Sequence, residues 1–482
     1  MQGAPQTSFT GPELCAKSAL EVVTLLKSGA VSPAEVLEAS LQRIAQVEPA
    51  VNAVVTPCAA RARNALGLLP GRAAKNASQP GWLAGLPIGV KDLTPVSGVR
   101  TTWGSLAFKD FVPQHTDPLI ARLEERGAIV VGKTNTPEFG AGGNTTNAVF
   151  GPTRNPWNVA LNAGGSSGGA AVSLATGEVW LSHGSDLAGS LRTPAAYSGV
   201  IGLRPSPGRA GGANEALGFS IEGVQGPMAR TVADCALFLD AMAGFDPVWP
   251  VSIEAPRTPF LDAVLRAPQD VRIGYAPDLG GFAFVDPAIR AVLDGAMRAV
   301  EGAGGTVEID CPDLPGLAPT YRTLRAMFWA ALPGRAPAEV QAFYKPTLRQ
   351  NIAQGRALSA DAIHDAQRGR AALYQSVRRF LERFDVLAFP VMGVPAGPVE
   401  QEFPPEIDGQ PITDYVEWLR FSYLSVVTGL PALSMPAGFL PDGMPVGLQL
   451  LGPPRGEARL LAAARAVELA LGGPLGPIDP RD

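Results

Sequence analysis

The 482-residue sequence predicts an α/β fold in which helices cover a mainly parallel β-sheet. The first observation is a repeated alternation of helix-like and strand-like segments, which is typical of parallel sheets with crossover helices. The second is the composition, with 46% hydrophobic and 17% charged residues, which favours a substantial buried interior. The third is the presence of 55 glycines and 46 prolines, which predict many tight turns between short elements.

Two helices are predicted near the N-terminus. Apolar positions recur at helical spacing over residues 18–27. Ser32-Pro33-Ala34-Glu35 then forms a capping box with proline at the first helical position, so a second helix begins there. We expect this helix to end near Glu48-Pro49, because proline disrupts the interior of a helix.

A strand, a helix and another strand follow. The apolar run of residues 86–90 predicts a strand that ends at Lys91-Asp92. Thr116-Asp117-Pro118 predicts the start of a helix that continues to Arg126, and residues 128–131 predict the next strand. This rhythm predicts neighbouring parallel strands with a helix packed over them.

The same rhythm returns in the second half of the chain. Residues 272–275 and 306–309 predict strands on either side of a helix that begins at Asp286-Pro287 and stops before Gly304-Gly305. Between residues 312 and 411 the pattern is helical, with aromatic residues and prolines. We interpret this range as a helical insertion that carries substrate contacts inside a single domain of residues 1–482.

Charge and cysteine usage exclude several classes of protein. Acidic residues number 44 and basic residues 39, without a block of like charges, so nucleic acid and polybasic membrane binding are not expected. The N-terminal segment lacks a signal pattern, and no run of about 18 apolar residues occurs. The cysteines are far apart without a CxxC pair, which favours free thiols in the cytoplasm. They are Cys15, Cys58, Cys235 and Cys311.

Metal chemistry is not predicted either. The three histidines are His115, His183 and His364, and no two of them stand at a metal-binding spacing with each other or with a cysteine. We therefore expect neither a metal ion nor a cofactor, and ligands that are small molecules.

Two familiar motifs occur in contexts that argue against their usual function. Residues 127–134 fit the phosphate-binding pattern GxxxxGK[ST], but their four middle residues are themselves the predicted strand rather than a loop. Residues 165–169 fit GxSxG, which requires a strand leading directly into Ser167 and a later catalytic histidine. Residues 158–163 are a poor strand, and His364 stands in a helical stretch, so a Ser-His-Asp hydrolase is disfavoured.

Two serine loops framed by glycines form the stronger constellation. They are Gly164-Gly165-Ser166-Ser167-Gly168-Gly169 and residues 184–195, which begin Gly-Ser-Asp-Leu-Ala-Gly-Ser. Glycines allow backbone N–H groups to turn toward a ligand, so each loop is either a structural turn, an anion site or an oxyanion hole. Lys91, at the end of an apolar run, is either a surface lysine at the end of a strand or a base that could activate a serine without histidine.

These residues resemble the amidase signature hydrolases, and the resemblance covers nearly the whole chain. It implies one α/β/α domain built on a large mixed, mainly parallel β-sheet covered by helices. Besides the two serine loops, it rests on Gly-Val-Lys91-Asp92, Lys133-Thr-Asn-Thr-Pro-Glu-Phe-Gly140, Gly202-Leu-Arg-Pro205, Gly226-Pro-Met-Ala-Arg230 and Gly429-Leu-Pro-Ala432.

The resemblance also implies a role for each residue of the site. Ser190 is the nucleophile, Ser166 is preceded by a cis peptide and relays the proton, and Lys91 is the base. The remaining implied roles are oxyanion-hole amides from Leu187, Ala188, Gly189 and Ser190, loop bracing by Asp186 and Arg192, and a supporting hydrogen bond from Ser167.

Two consequences of these roles can be checked in a structure. A neutral Lys91 needs burial to lower its pKa from about 10.4 to near 7, so Asp92 should not pair with it. Ala188 replaces a glycine that is usual in the family, and we expect its methyl group to narrow the acyl side of the pocket.

The substrate is less well defined than the reaction. We expect a hydrolase of apolar or aryl amides, extending to carbamates, anilides and esters, and the oligomeric state stays open, with a homodimer as one option. Two alternatives remain: the glutaminase subunit of a tRNA-dependent amidotransferase, and a non-catalytic binding protein with the same fold. For the pocket, the insertion offers Tyr321, Met327, Phe328, Trp329, Phe343 and Tyr344.

Overall fold

The structure is a computed structural model that describes residues 5–212 and 215–481. The outermost ends of the expected single domain, residues 1–4 and 482, lie outside the described residues. The strands, numbered along the chain, are β1 (Val54–Pro57), β2 (Pro87–Lys91), β3 (Ile129–Thr134), β4 (Arg154–Asn155), β5 (Asn158–Asn162), β6 (Leu181–Asp186), β7 (Ile201–Arg204), β8 (Val224–Ala229), β9 (Arg272–Tyr275), β10 (Thr306–Ile309), β11 (Val386–Pro390), β12 (Glu406–Ile407), β13 (Gln410–Pro411), β14 (Ala432–Phe439) and β15 (Pro445–Leu451).

Eleven of the described strands form one mixed sheet in the order β1-β3-β2-β6-β8-β7-β14-β15-β11-β9-β10. Strands β3, β2 and β6 are parallel, as are β11, β9 and β10. Antiparallel pairs join these two runs through β8, β7, β14 and β15. The predicted α/β fold with a large mixed sheet is confirmed, and both predicted strand-helix-strand units lie in its parallel runs.

The helices pack around this sheet. They are α1 (Glu13–Ala16), α2 (Ala19–Ser28), α3 (Pro33–Val51), α4 (Ala59–Leu66), α5 (Leu69–Asn76), α6 (Pro118–Glu125), α7 (Gly168–Ala175), α8 (Arg192–Ser198), α9 (Val232–Met242), α10 (Phe260–Leu265), α11 (Pro287–Gly302), α12 (Leu317–Ala331), α13 (Ala338–Gln341), α14 (Pro346–Arg356), α15 (Ala360–Phe380), α16 (Tyr423–Thr428) and α17 (Glu457–Ala470). The four whose starts were predicted, α2, α3, α6 and α11, begin within one residue of the predicted positions.

Helices cover both faces of the sheet, and successive side chains along a strand point alternately into the cores on the two sides. In β3, Val130 packs in a core with α9, α11 and α17, whereas Ile129 and Val131 pack in another with α3 and α7. A third core lies between β11 and the helices α12, α15 and α16. Parallel strands covered in this way are expected to be continuous apolar runs, as β2 and β3 are.

Three local expectations differ from the structure. Helix α3 continues past Pro49 to Val51 and is capped by Asn52, which has a left-handed φ of 53° and donates its backbone N–H to the carbonyl of Glu48. Residues 158–162, in a stretch expected to be a poor strand, do form a strand, β5, which lies outside the main sheet, pairs with β4 and forms a bridge from Leu161 to Pro398. The range 312–411 is helical only as far as Phe380, because β11 returns to the main sheet between β15 and β9.

The four cysteines are free, as expected, and Cys15 and Cys235 are buried. Over residues 5–212 and 215–481, no helix is both long and apolar enough to cross a membrane.

Candidate active site

The end of strand β2 places Lys91 at the centre of the site. Strand β2 lies between β3 and β6 in the sheet, and the Lys91 side chain is completely buried. Its Nζ lies 2.8 Å from Ser166 Oγ, 2.9 Å from Ser167 Oγ and 3.1 Å from Ser185 Oγ. A neutral amine has two N–H donors and one lone pair, so one of these hydroxyls can donate its proton toward the nitrogen.

The surroundings of Lys91 favour this neutral form. Burial lowers the pKa of Lys91 to about 7, although the more distant charge of Asp186 opposes the shift. Asp92 is turned away, as expected, because its carboxylate forms an ion pair with Lys133 at 3.3 Å and accepts the hydroxyl of Thr102 at 2.5 Å. Lys91 therefore has hydroxyl partners and no carboxylate partner in the described part of the chain.

This pKa predicts a pH dependence of the rate. We expect kcat/KM to rise as the pH passes through about 7 and to level off above it, because Lys91 accepts a proton only when it is neutral. Initial rates across a pH series, on a substrate whose own charge does not change, measure this limb. If an active Lys91→Met variant kept the same limb, another group would have to be the base.

The first serine loop joins Lys91 to the second. The Gly165–Ser166 peptide bond is cis, as the resemblance implies. Ser167 stands at the N-cap of α7, where a serine usually accepts a helix N–H, yet its hydroxyl instead contacts Lys91 and donates to the Ser185 carbonyl at 3.2 Å. Its backbone N–H donates to the carbonyl of Ser190 at 3.1 Å. The two loops are therefore bonded directly to each other.

The second loop, which carries Ser190, is braced by buried charges. Asp186 accepts from Arg192 Nε at 3.0 Å and forms an ion pair with Arg204 at 3.2 Å. Burial alone would raise the pKa of Asp186, but the two guanidinium groups hold it below its usual range. The same carboxylate accepts the N–H groups of Gly189 and Leu191. These contacts fit the bracing role expected for Asp186 and Arg192.

Two expectations need correction: the one that the Gly189 N–H belongs to the oxyanion hole, and the one that the Ala188 methyl group narrows the pocket. The Gly189 N–H donates to Asp186 at 2.9 Å, so it is not available to a substrate oxygen in this structure. The N–H groups of Leu187, Ala188 and Ser190 have no protein acceptor among the described residues, which leaves these three as candidate donors. The Ala188 methyl group does not line the pocket but packs in the core with α16.

A cavity of about 740 Å³ opens beside the two loops. Ser166, Ser185 and Ser190 are among the residues that line it, and Ser190 is 6% exposed. Its walls are largely apolar and include the aromatic residues Trp103, Phe108, Phe139, Trp249, Phe328, Trp329 and Tyr344. A volume of this size, mostly apolar with a few polar groups, is typical of a small-molecule site.

The predicted pocket residues are only partly found there. Phe328, Trp329 and Tyr344 line the cavity. Tyr321 instead stacks on Tyr423 in the core at 3.6 Å, and Phe343 is exposed on the surface. Met327 packs beside the same core as Tyr321.

Sequence reasoning missed Ser185, which contacts Lys91, and four of the aromatic residues that line the cavity. These four are Trp103, Phe108, Phe139 and Trp249. Ser185 stands directly before Asp186 in the second serine loop. It is two residues from His183, so in a strand both side chains lie on the same face, and this spacing could have placed Ser185 in the interior.

The structure supports neither a phosphate loop at residues 127–134 nor a Ser-His-Asp site at Ser167, in agreement with the sequence analysis. Lys133 is buried within strand β3 and paired with Asp92, so residues 127–134 do not form a phosphate loop. His364 is exposed on α15, and His183 is buried against Gln225, where burial lowers its pKa to about 3. Neither histidine contacts Ser167. Within the described ranges, no three His, Cys, Asp or Glu side chains come together as a metal site.

Comparison with known proteins identifies the family of this chain. The family model described as Amidase matches residues 35–461. The chain is 35% identical to an acylamidase of Rhodococcus erythropolis, with 94% of each chain covered. It is 34% identical to one of the subunits of glutamyl-tRNA(Gln) amidotransferase from Thermosynechococcus vestitus, over 91% of this chain and 94% of that one.

The solved structures include a bacterial aryl acylamidase described as a member of the amidase signature family. It superimposes with a TM-score of 0.85 at 30% identity, over 95% of this chain and 99% of that one. The family match and these relatives extend over nearly the whole chain, including Lys91 and both serine loops. The protein therefore belongs to the amidase family, as an amidase signature hydrolase.

Proposed function

We propose that this protein hydrolyses the C–N bond of apolar or aryl amides through an acyl-enzyme on Ser190, and that anilides, carbamates and esters are also substrates. The observation that carries the proposal is the buried contact of 2.8 Å between Lys91 Nζ and Ser166 Oγ, beside a cavity that Ser166 and Ser190 both line. Lysine, relay serine and nucleophile together supply what amide hydrolysis needs without histidine or metal.

The reaction proceeds in two halves. Ser190 Oγ attacks the substrate carbonyl carbon while its proton passes to Ser166, whose own proton passes to neutral Lys91. The N–H groups of Leu187, Ala188 and Ser190 are the candidate donors to the resulting oxyanion. The C–N bond then breaks as the proton returns along the same path to the leaving nitrogen. Water attacks the acyl-enzyme by the same route, which releases the carboxylic acid and restores the Ser190 hydroxyl.

The free-energy cost of burying Lys91 argues against a non-catalytic binding protein. Burying a lysine without a carboxylate partner disfavours its charged form, as the lowered pKa of Lys91 shows. A binding protein would gain nothing from such a group, and an apolar side chain would pack there at lower cost.

The glutaminase alternative is favoured by the amidotransferase subunits among the relatives. The cavity argues against it on charge. Free glutamine carries a carboxylate and an ammonium group, and among the described residues that line the cavity none is lysine or arginine. Asp186 is already paired with two arginines, which leaves Asp117 as the unpaired acid on the wall. Aromatic walls suit an apolar acyl or aryl group better than a zwitterion.

Substrate selectivity tests the proposal. We expect kcat/KM for a hydrophobic anilide or aryl carbamate to exceed that for glutamine by at least about tenfold, because the aromatic walls stabilise apolar groups in the transition state. Purified protein, assayed with both substrates for released arylamine and ammonia, gives the two constants.

Two variants separate the cavity from the surface. Phe328→Ala should lower kcat/KM for the bulky anilide more than for a small aliphatic amide, because Phe328 lines the cavity. Phe343→Ala is the matched control, since that ring is 52% exposed and outside the cavity. Efficient glutaminase activity, especially with partner subunits added, would replace this assignment with the amidotransferase function.

A further inference from the structure

Ser185 lies near the end of strand β6, and its hydroxyl is the third one in contact with Lys91. Its Oγ is 3.1 Å from Lys91 Nζ and has no other hydrogen-bond partner among the described residues. Ser185 lines the cavity and is half-buried, whereas Ser166 is 2% exposed and Ser167 is fully buried. The proposed proton path through Ser166 to Lys91 gives Ser185 no role.

The hydrogen bonds of Ser167 fix the direction of one contact with the lysine. The Ser167 hydroxyl donates to the Ser185 carbonyl at 3.2 Å, so its single proton is already used. Its oxygen accepts from Lys91 at 2.9 Å and from the Ser185 backbone N–H at 3.4 Å. Ser167 therefore accepts a hydrogen bond from Lys91 and has no proton left to donate to it.

The remaining bonds of the neutral amine follow from its valences. A neutral lysine side chain has two N–H donors and one lone pair, and Ser167 takes one of the donors. The proposed reaction requires the lone pair to face Ser166, because the proton of that hydroxyl moves to Lys91. The second N–H is then left for Ser185, whose Oγ lies within hydrogen-bond distance.

The protonated amine has a stricter requirement. Once Lys91 has taken the proton of Ser166, it carries three N–H donors and a positive charge in a fully buried position. Three hydroxyl oxygens lie at 2.8, 2.9 and 3.1 Å from its Nζ, one for each donor. Without the Ser185 hydroxyl, one N–H of a buried cation would lack an acceptor, which is more costly than the loss of a hydrogen bond between neutral groups.

The other titratable groups around Lys91 do not replace this acceptor. Burial lowers the pKa of Lys91 and the charge of Asp186 opposes the shift, but that carboxylate is engaged by two arginines. Asp92 is paired with Lys133. His183 is neutral, because burial lowers its pKa to about 3. Helix α7, which packs on β2, carries no titratable side chain.

We propose that Ser185 is a positioning residue that accepts the third hydrogen bond of protonated Lys91 and, in the neutral state, holds the lysine lone pair toward Ser166. This inference rests on the proposed hydrolysis by Ser190 and adds a residue to its proton path. Because Ser185 acts through Lys91, its loss should lower kcat and leave KM largely unchanged. It should also lower the pKa of Lys91, because the charged form loses an acceptor.

Threonine and valine at position 185 are a matched pair. Ser185→Thr keeps the hydroxyl and adds a methyl group, whereas Ser185→Val has the same shape without the hydroxyl and leaves no space for a substituting water molecule. Both side chains suit a β-strand. Ser182→Ala is the control on the same strand, because it removes a buried hydroxyl that has no hydrogen-bond partner among the described residues.

The rate of fluorophosphonate labelling is measured against pH for each protein, since it reports the activation of Ser190 whatever the amide substrate is. We expect Ser185→Val to react at least about tenfold more slowly than Ser185→Thr on the alkaline plateau, the effect of one hydrogen bond to a charged group. The midpoint of its pH limb should move about one unit lower. Ser185→Thr and Ser182→Ala should keep the wild-type midpoint, and an anilide assay should show the loss in kcat.

Equal plateau rates and equal midpoints for Ser185→Thr and Ser185→Val would overturn the inference. So would faster labelling of Ser185→Val, which would mean that Ser185 competes with Ser166 for the lysine lone pair. Melting temperatures show whether the variants are folded. If the β-branched pair is not tolerated, Ser185→Ala is compared with the wild type, and an unchanged rate and midpoint overturns the inference. A protein that is labelled on Ser190 but does not hydrolyse anilides contradicts the proposed substrates and leaves this comparison intact.

Discussion

Replacing Ser190 with alanine should lower kcat by at least about 10⁴-fold and leave the fold intact. The change removes the only hydroxyl proposed to bond covalently to the substrate, while the remaining backbone donors and cavity can only bind it. Ser190 is 6% exposed, and its hydroxyl forms no hydrogen bond with the described residues, so little stability should be lost. Hydrolysis of a hydrophobic anilide, together with a thermal melt, measures both effects.

Ser167→Ala is the matched control, because Ser167 is a neighbouring buried serine that also contacts Lys91. It should cost much less than Ser190→Ala, since its hydroxyl supports the lysine without bonding to substrate. Equal losses from the two changes would mean that the nucleophile is misassigned.

The double variant Lys91→Met with Ser166→Ala should be little worse than the more damaging of its two single variants. Each single change should cost several powers of ten, because it breaks the same proton path between Ser190 and Lys91. The contact of 2.8 Å between Lys91 and Ser166 makes the two residues one unit, and the effects of such units are far from additive. Methionine keeps most of the lysine volume, so the buried site remains filled.

Values of kcat for the wild type, both single variants and the double variant complete this cycle. Losses that multiply in the double variant would show that lysine and serine act independently, which the relay from Ser190 through Ser166 to Lys91 does not allow.

Much of the fold could be predicted because local signals agree with the tertiary structure. The capping box at Ser32 and the apolar runs that became β2 and β3 are decided within a few residues. The end of α3 was misplaced because Asn52 ends that helix with distant partners: its side chain donates to the carbonyls of Phe150 and Pro152. The position of β11 depends likewise on pairing with β15 and β9, which lie far away in sequence.

The site divides in the same way. Lys91 and the two serine loops are recognisable from short motifs, and the structure brings Lys91, Ser166 and Ser167 into contact. The walls of the cavity are not encoded locally. Phe139, which has a left-handed φ of 50°, meets Tyr344 from the insertion at 5.2 Å, and nothing near either residue indicates the other.

The direction of the Gly189 N–H and the packing of Ala188 could not be predicted either, because both depend on residues that are distant in the sequence. Whether the N–H of Gly189 faces the cavity or Asp186 depends on the turn of a loop braced by Arg192 and Arg204. The packing of Ala188 depends on helix α16, more than 200 residues later.

The most direct test of the central claim is to identify the residue that reacts covalently. A fluorophosphonate modifies an activated serine nucleophile, and peptide mass spectrometry locates the adduct. We predict one adduct on Ser190, absent in Ser190→Ala and strongly slowed in Lys91→Met, because Lys91 activates Ser190 through Ser166. An adduct on Ser167 that survives in Ser190→Ala would contradict the assignment of nucleophile, relay and base.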